Sequence, residues 1–386
     1  MAKFEGPKNR WSWVEINLNA VRKNTRAFRS IIDPGTQMMC VVKADAYGHG
    51  AVRCAHVMAN AGADQFAVAT VDEGIELRQG GIEKPILVLS EPPVTAVDDL
   101  VAYDIMPSVY TQEFALALGE AAVLQDRVAK YHLAVDTGMT RIGVPWEQVV
   151  PFARSLAFHR GLEQAGMFTH FATADVIDDF DWSLQFKHFT VAVDALRNAQ
   201  LPTGIVHCDN TPGTMLHHEA QLDMCRVGIG LYGMHPAKST EDVLDLDPVM
   251  SVRARVTRVA HPKMGDGVGY GLTYRIVNPN TRIATFSIGY ADGLSRILSN
   301  RMDVLCGGRR YRQVGRVCMD QSMFAVEPEL SEISEGIEPV GYGDYVTILG
   351  RDGDQEITAE DMAELRDTIN YEVTCDFGLR LEKVYL

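Results

Sequence analysis

The 386 residues contain no apolar run long enough for a transmembrane helix, no C-x-x-C pair and no glycine-rich dinucleotide fingerprint after a strand. The Met-Ala-Lys-Phe-Glu start has no signal-peptide core. The seven cysteines are scattered and odd in number, which fits reduced thiols and excludes a disulfide framework or a cysteine-built metal site. Positive charge is also short. With 36 basic against 51 acidic residues the net charge is −15, which argues against nucleic acid or an anionic membrane as a partner. No low-complexity linker or internal repeat interrupts the chain. The expectation is a cytoplasmic globular enzyme, long enough for two domains.

What is present is a regular alternation. Strands are expected near residues 38–42, 65–70, 86–90, 105–108, 128–136, 166–171, 205–208 and 224–231, with amphipathic helices between most of them, as at 51–61, 112–122, 146–158 and 182–199. Eight such strands predict a parallel (β/α)8 barrel over residues 1–242. After about residue 240 short β-like runs take over, at 251–260, 282–288, 311–317, 322–326 and 345–349, with one helix near 358–368 capped by Thr358 with Asp361 at its third position. Residues 243–386 therefore read as a smaller, mostly β domain.

In a barrel of this kind chemistry gathers at the C-terminal ends of the strands. Lys43 ends the first strand in MMCVVKADAYGHG. An amine at the mouth of an apolar strand is favoured neutral, the form that attacks an aldehyde to make a Schiff base. Arg141 follows strand five in DTGMTRIG, His170 ends strand six in THFATAD, Asn210 and Thr211 follow strand seven, and Arg226 lies in strand eight. Each has a structural explanation alone: Arg141 paired with Asp136, His170 as a core histidine, Arg226 bridged to Asp223. Their coincidence on one rim is what points to a site. Thr211, Gly213 and the Val227-Gly228-Ile229-Gly230 run put a hydroxyl and backbone N–H groups at this fold's usual phosphate position. A Schiff-base lysine, a phosphate cradle and an arginine together point to pyridoxal 5'-phosphate.

The motifs VVKADAYGHG, DTGMTRIG, THFATAD, VGIGLYG, GYGLTY, IGYADG, GRVCMDQ and INYEV resemble, in order and along nearly the whole chain, those of the fold-type III pyridoxal-phosphate enzymes, specifically the alanine racemase family. The resemblance implies that Lys43 carries the cofactor, that Tyr47, Thr211, Gly228, Ile229 and Tyr371 surround its phosphate, and that Arg226, supported by His170, faces the pyridine nitrogen. It implies a second base, Tyr270, together with Met319 and Tyr290, all three from the other subunit of a homodimer. Arg141 would bind the substrate carboxylate, and no metal is implied.

Two positions depart from the family pattern. Where the family commonly has a carbamylated lysine, this chain has Ala134, so Arg141 must be steadied by Asp136, another carboxylate or a bound anion. Thr211 stands where serine is usual. The expected activity is interconversion of L- and D-alanine for peptidoglycan. A broad-specificity, serine or lysine racemase is the alternative that Ala134 suggests. An amino-acid decarboxylase using Cys318 and a barrel-only cofactor carrier are disfavoured by the surrounding motifs and by the second domain.

Overall fold

Eight of the short apolar runs do become parallel strands. The computed structural model describes residues 6–378 and 380–386. After β1 (Ser12–Ile16) the barrel strands are β2 (Gln37–Val41), β3 (Gln65–Val68), β4 (Ile86–Val88), β5 (Met106–Val109), β6 (Ala129–Asp136), β7 (Leu162–Phe168), β8 (Ile205–His207) and β9 (Met224–Val227). They pair in parallel in the order β9-β2-β3-β4-β5-β6-β7-β8. The seam between β8 and β9 is closed differently. Asp223 donates its N–H to the Val206 carbonyl at 3.1 Å and accepts the Val206 N–H on Oδ2 at 2.8 Å, and Arg226 N–H reaches the Asp209 carbonyl at 3.1 Å. These bonds, rather than a regular ladder, complete the ring.

Helix boundaries follow local chemistry. Thr70 and Glu73 form a reciprocal cap on the helix Val71–Gln79, and Thr111 caps Gln112–Leu124. The helices expected at 182–199 and 51–61 are found at Phe180–Asn198 and Ala51–Ala59. No helix among the described residues is long and apolar enough to cross a membrane.

The two compact units are Asn19–Asp247, and the described residues up to Leu18 together with Pro248–Leu386. The N-terminal segment leaves the barrel because its S-W-V-E-I run is a strand with Trp13, Val14 and Ile16 fully buried, paired antiparallel to β10 (Met250–Ala260) and parallel to a last strand, Glu382–Tyr385. β10 is the hub of the second unit. Its apolar residues alternate strictly over seven positions, and it also pairs with the strands Arg282–Phe286 and Tyr345–Asp352. A strand expected at 311–317 is instead Arg309–Arg312, in a hairpin with Asp303–Cys306. Gly307 and Gly308, both at positive φ (61° and 77°), make the tight turn between them. The helix capped by Thr358 and Asp361 is present as Ala359–Arg366.

Candidate active site

The C-terminal ends of β2, β6, β7 and β9 surround a cavity of about 250 Å³ lined by Lys43, Ala134, Asp136, Arg141, His170 and Arg226, with Phe168 and Thr169 between them. Four of the six rim residues singled out by sequence, Lys43, Arg141, His170 and Arg226, therefore line one cavity; Thr211 does not line it, and neither does Asn210. Its Oδ1 accepts the Gly213 N–H and its Nδ2 donates to the Phe171 carbonyl, so its side chain caps the short helix Thr211–Leu216 rather than facing a ligand.

Lys43 is the first residue past the apolar strand and its one-residue extension, Val42. The next four residues, Ala44 to Tyr47, all have φ between 51° and 55°. A left-handed conformation costs an L-residue about 1–2 kcal/mol each, so this turn must be held from outside. Glu73 does so, accepting the Ala44 N–H at 2.6 Å and the Ala69 N–H at 2.7 Å, while Asp45 Oδ1 accepts the Ala51 N–H. The strain sits directly after the lysine, where it fixes the chain's exit from the barrel.

Arg226 is nearly fully buried at 3% exposure. Its Nη1 donates to His207 Nδ1 at 2.9 Å. Its Nη2 is shared among the Thr169 carbonyl (2.8 Å), the Cys208 carbonyl (2.9 Å) and His170 Nδ1 (3.2 Å). The guanidinium also lies 5.3 Å from the Phe168 ring centroid. Three of its five N–H groups serve the four acceptors, with Nη2 oversubscribed, so Nε and the second Nη1 hydrogen are left for a ligand. Burial lowers the guanidinium to about 10, which still leaves it a cation at neutral pH. Burial, reinforced by the positive charge of Arg226, holds His170 and His207 well below the usual imidazole range, so both are neutral acceptors toward it. The Arg226–Asp223 bridge that would have explained Arg226 structurally is absent, because Asp223 is committed to the barrel seam.

Arg141 is different. It is exposed, and Asp136 does not pair with it: Asp136 Oδ1 accepts the N–H groups of Gly138 and Thr140 at 3.0 Å each, shaping the loop that carries the arginine. Among the described residues Arg141 has no ion pair. Of the supports anticipated for it, Asp136 is thereby removed.

The residues expected to cradle a phosphate lie beside β8 and β9. Thr211 Oγ1 accepts the Gly228 N–H at 2.8 Å and keeps its own hydrogen to donate. A Cβ at Gly228 would sit 2.7 Å from Tyr47 Oη, so only glycine admits the tyrosine there. The methyl of Thr211 finds room because residue 230 is glycine: a Cβ there would be 3.1 Å from it. Pyridoxal phosphate fits this donor set, with lysine, hydroxyl, phenol and backbone amides at one end of the barrel and a buried cation beside them.

Tyr270, Tyr290, Met319 and Tyr371 belong to the second unit. The Tyr290 N–H reaches the Cys318 carbonyl (2.9 Å) and the Ala291 N–H the Met319 carbonyl (3.0 Å), joining those two loops. Gly269, at φ 67°, packs the Tyr270 loop against the same segment: a Cβ there would be 3.3 Å from the Arg316 nitrogen. Tyr270 (70%), Met319 (52%) and Tyr290 (42%) are thus exposed side chains on adjoining loops. Sequence reasoning missed His207, His132 and Asp209. The signal for the two histidines was a polar residue inside an apolar strand, in G-I-V-H and Y-H-L-A-V.

Two family models cover the chain: alanine racemase, N-terminal domain, over residues 16–236, and alanine racemase, C-terminal domain, over residues 249–385. The alanine racemase of Synechocystis sp. is 40% identical over 379 residues, covering 97% of this chain and 99% of that protein. Among solved structures, the alanine racemase of Clostridium difficile 630 superposes with a TM-score of 0.92 at 36% identity, covering 98% of this chain and 97% of that one. That of Bacillus anthracis with bound L-Ala-P gives 0.90 at 34% identity, covering 98% and 96%. The fold and rim therefore define an isomerase, a pyridoxal-phosphate-dependent racemase on a (β/α)8 barrel with an appended β domain. Within that class the chain belongs to the alanine racemase family.

Proposed function

We propose that this protein interconverts L- and D-alanine by a two-base mechanism, with Lys43 on one face of the substrate and Tyr270 of the partner subunit on the other, as a cytoplasmic homodimer supplying D-alanine for peptidoglycan. The observation that carries the reading is the composition of the cavity. Lys43 lines it at the end of the apolar strand, while His170 is bonded to Arg226 and Asp136 to the Gly138–Thr140 loop, an arrangement that supports Lys43 as the base. Inversion needs a second proton carrier on the opposite face. The exposed Tyr270, on a loop packed against those of Met319 and Tyr290, supports its coming from another copy.

Pyridoxal phosphate, when bound, supplies the electron sink that lets the α-proton leave. Tyr47, Thr211, Gly228, Ile229 and Tyr371 would hold its phosphate. Arg226 would donate to its ring nitrogen and, as a permanent cation, keep its own proton, restraining the sink and limiting diversion into transamination. Arg141 would hold the substrate carboxylate. Lys43 would take the proton from one face while the Tyr270 phenol delivers one to the other, the roles reversing for the opposite enantiomer. The seven free cysteines are consistent with a reducing compartment. A broader racemase is the second reading, favoured by the buried Ala134 methyl, which leaves space near Arg141 in the same cavity.

The test is α-proton exchange in deuterium oxide, followed by proton NMR and chiral analysis, with pyridoxal phosphate and single L-amino acids. Exchange with appearance of D-alanine, and little from serine or lysine, is expected. Comparable turnover of several amino acids supports the broader reading, and no exchange refutes both. Tyr270→Phe should slow the reaction far more for one enantiomer's proton removal than for the other; equal mild effects would remove Tyr270 as a base.

A further inference from the structure

A hydrogen-bonded chain of buried side chains runs through the barrel from the active-site cavity to a second cavity at the opposite end. Arg226 Nη1 donates to His207 Nδ1 at 2.9 Å, and His207 Nε2 lies 2.8 Å from His132 Nδ1. His207 and His132 are both fully buried. His132 borders a cavity of about 310 Å³ lined also by Gln65, Asp104, Lys130, Glu163 and Ile205, residues at or next to the N-terminal starts of their strands. Among the described residues its Nε2 has no partner. Gly166 makes room for it, since a Cβ there would lie 2.6 Å from the His132 ring.

The arginine fixes the direction of every proton in this chain. A guanidinium only donates, so His207 Nδ1 must accept. Burial keeps both imidazoles neutral: His132 is lowered to about 3 and His207 lies well below its ordinary value. The single proton of His207 is therefore on Nε2 and is donated to His132 Nδ1, and that of His132 is on its own Nε2, on the side of the ring away from His207. By donating to His132, His207 becomes a better acceptor for Arg226.

We infer that His132 is a positioning residue for racemisation: by accepting from His207 it locks the His207 tautomer that receives Arg226, and so fixes the plane in which Arg226 meets its ligand. Without that acceptor, His207 Nε2–H is buried and unbonded. The ring is then free to move its proton to Nδ1, donor against donor with Arg226. The inference rests on the reading that Arg226 faces the cofactor ring nitrogen, where a looser guanidinium weakens the restraint on transamination.

The discriminating pair is His132→Asn and His132→Gln. The Asn side-chain oxygen takes the place of imidazole Nδ1, whereas the Gln amide takes the place of Nε2 and does not face His207. In the cofactor-free protein, long-range proton–nitrogen spectra of 15N-histidine-labelled samples should show His207 protonated on Nε2 in the parent and in His132→Asn, and mixed or shifted to Nδ1 in His132→Gln. In the loaded enzyme His132→Asn should stay within about threefold of the parent. His132→Gln should lose about tenfold in kcat with little change in KM for alanine, and should form several-fold more pyruvate per racemisation cycle. Equal behaviour of the two variants overturns the inference, as does a shifted tautomer with an unchanged product ratio. Loss of all racemisation in the parent would instead refute the function proposed above, leaving the tautomer comparison to judge the chain itself.

Discussion

Two arginines line one cavity and are held in opposite ways. Arg226 rises from a strand, is buried, and has four acceptors placed around it by β7, β8 and the residues following them. Arg141 rises from a loop, is exposed, and its nearest acidic neighbour in sequence is spent on the loop's own backbone. The first is preorganised by the fold before any ligand arrives. The second has no such set of acceptors among the described residues. Orientation that must not vary is carried by rigid elements, while a group that must admit and release substrate is left on a mobile class of structure.

The largest expected effect is on the buried side of this contrast. In Arg226→Lys a single ammonium with three donors faces four acceptors arranged for a planar fork, and buried acceptors lose their partners. Stability should fall by about 3–5 kcal/mol in denaturant unfolding, by the general cost of breaking a buried charged network. Racemisation should fall by about 100-fold or more, because the remaining charge is not aimed. A variant with nearly parental stability and rate would show that only the charge matters and that the preorganisation is incidental.

Asp209 sharpens the same side. It follows β8, is fully buried, and among the described residues neither carboxyl oxygen has a partner. Burial raises it to about 8, against the lowering effect of Arg226. The folded state therefore keeps a proton that the unfolded chain, at an ordinary value near 3.8, gives up. Stability is fully present below the unfolded value and is lost as pH rises toward 8. Between pH 5 and pH 8 the loss is on the order of 3 kcal/mol by this linkage. Asp209→Asn should abolish most of that slope and raise the unfolding temperature at pH 8 relative to the parent. Parallel pH profiles for the two proteins would mean that Asp209 is ionised and solvated in the native state.

Much of this was legible in the sequence because it is periodic or motif-bound. The barrel strands, the Thr358–Asp361 cap and the place of Lys43 follow from apolar runs and their polar terminators. What could not be read is long-range. The pairing of Ser12–Ile16 with a strand more than 230 residues away depends on register between distant segments. The His132–His207–Arg226 chain depends on three strands facing one barrel axis, where two histidines in apolar strands read as isolated polar interruptions. Asp136 is one of the three supports the sequence offers for Arg141, a reading from proximity that overlooks two backbone N–H groups competing for the same carboxylate.

The smallest effect is expected at Arg141. Ala134 is buried on β6 and lines the cavity with it, at the position where the family commonly carries a carbamylated lysine. Ala134→Lys places an amine in that apolar wall, where desolvation favours the neutral form that carbon dioxide can add to. Unmodified, the new amine fills space beside Arg141 and supplies it no acceptor, and should weaken alanine binding by about threefold. Carbamylated, it supplies the fixed acceptor that Asp136 does not. The KM for alanine in this variant should therefore fall as bicarbonate is added, while the parent stays unchanged. If added bicarbonate leaves the variant's KM unaltered, or lowers the parent's equally, then Arg141 is held by something other than a partner from residue 134, and the loop itself fixes it as firmly as the strand fixes Arg226.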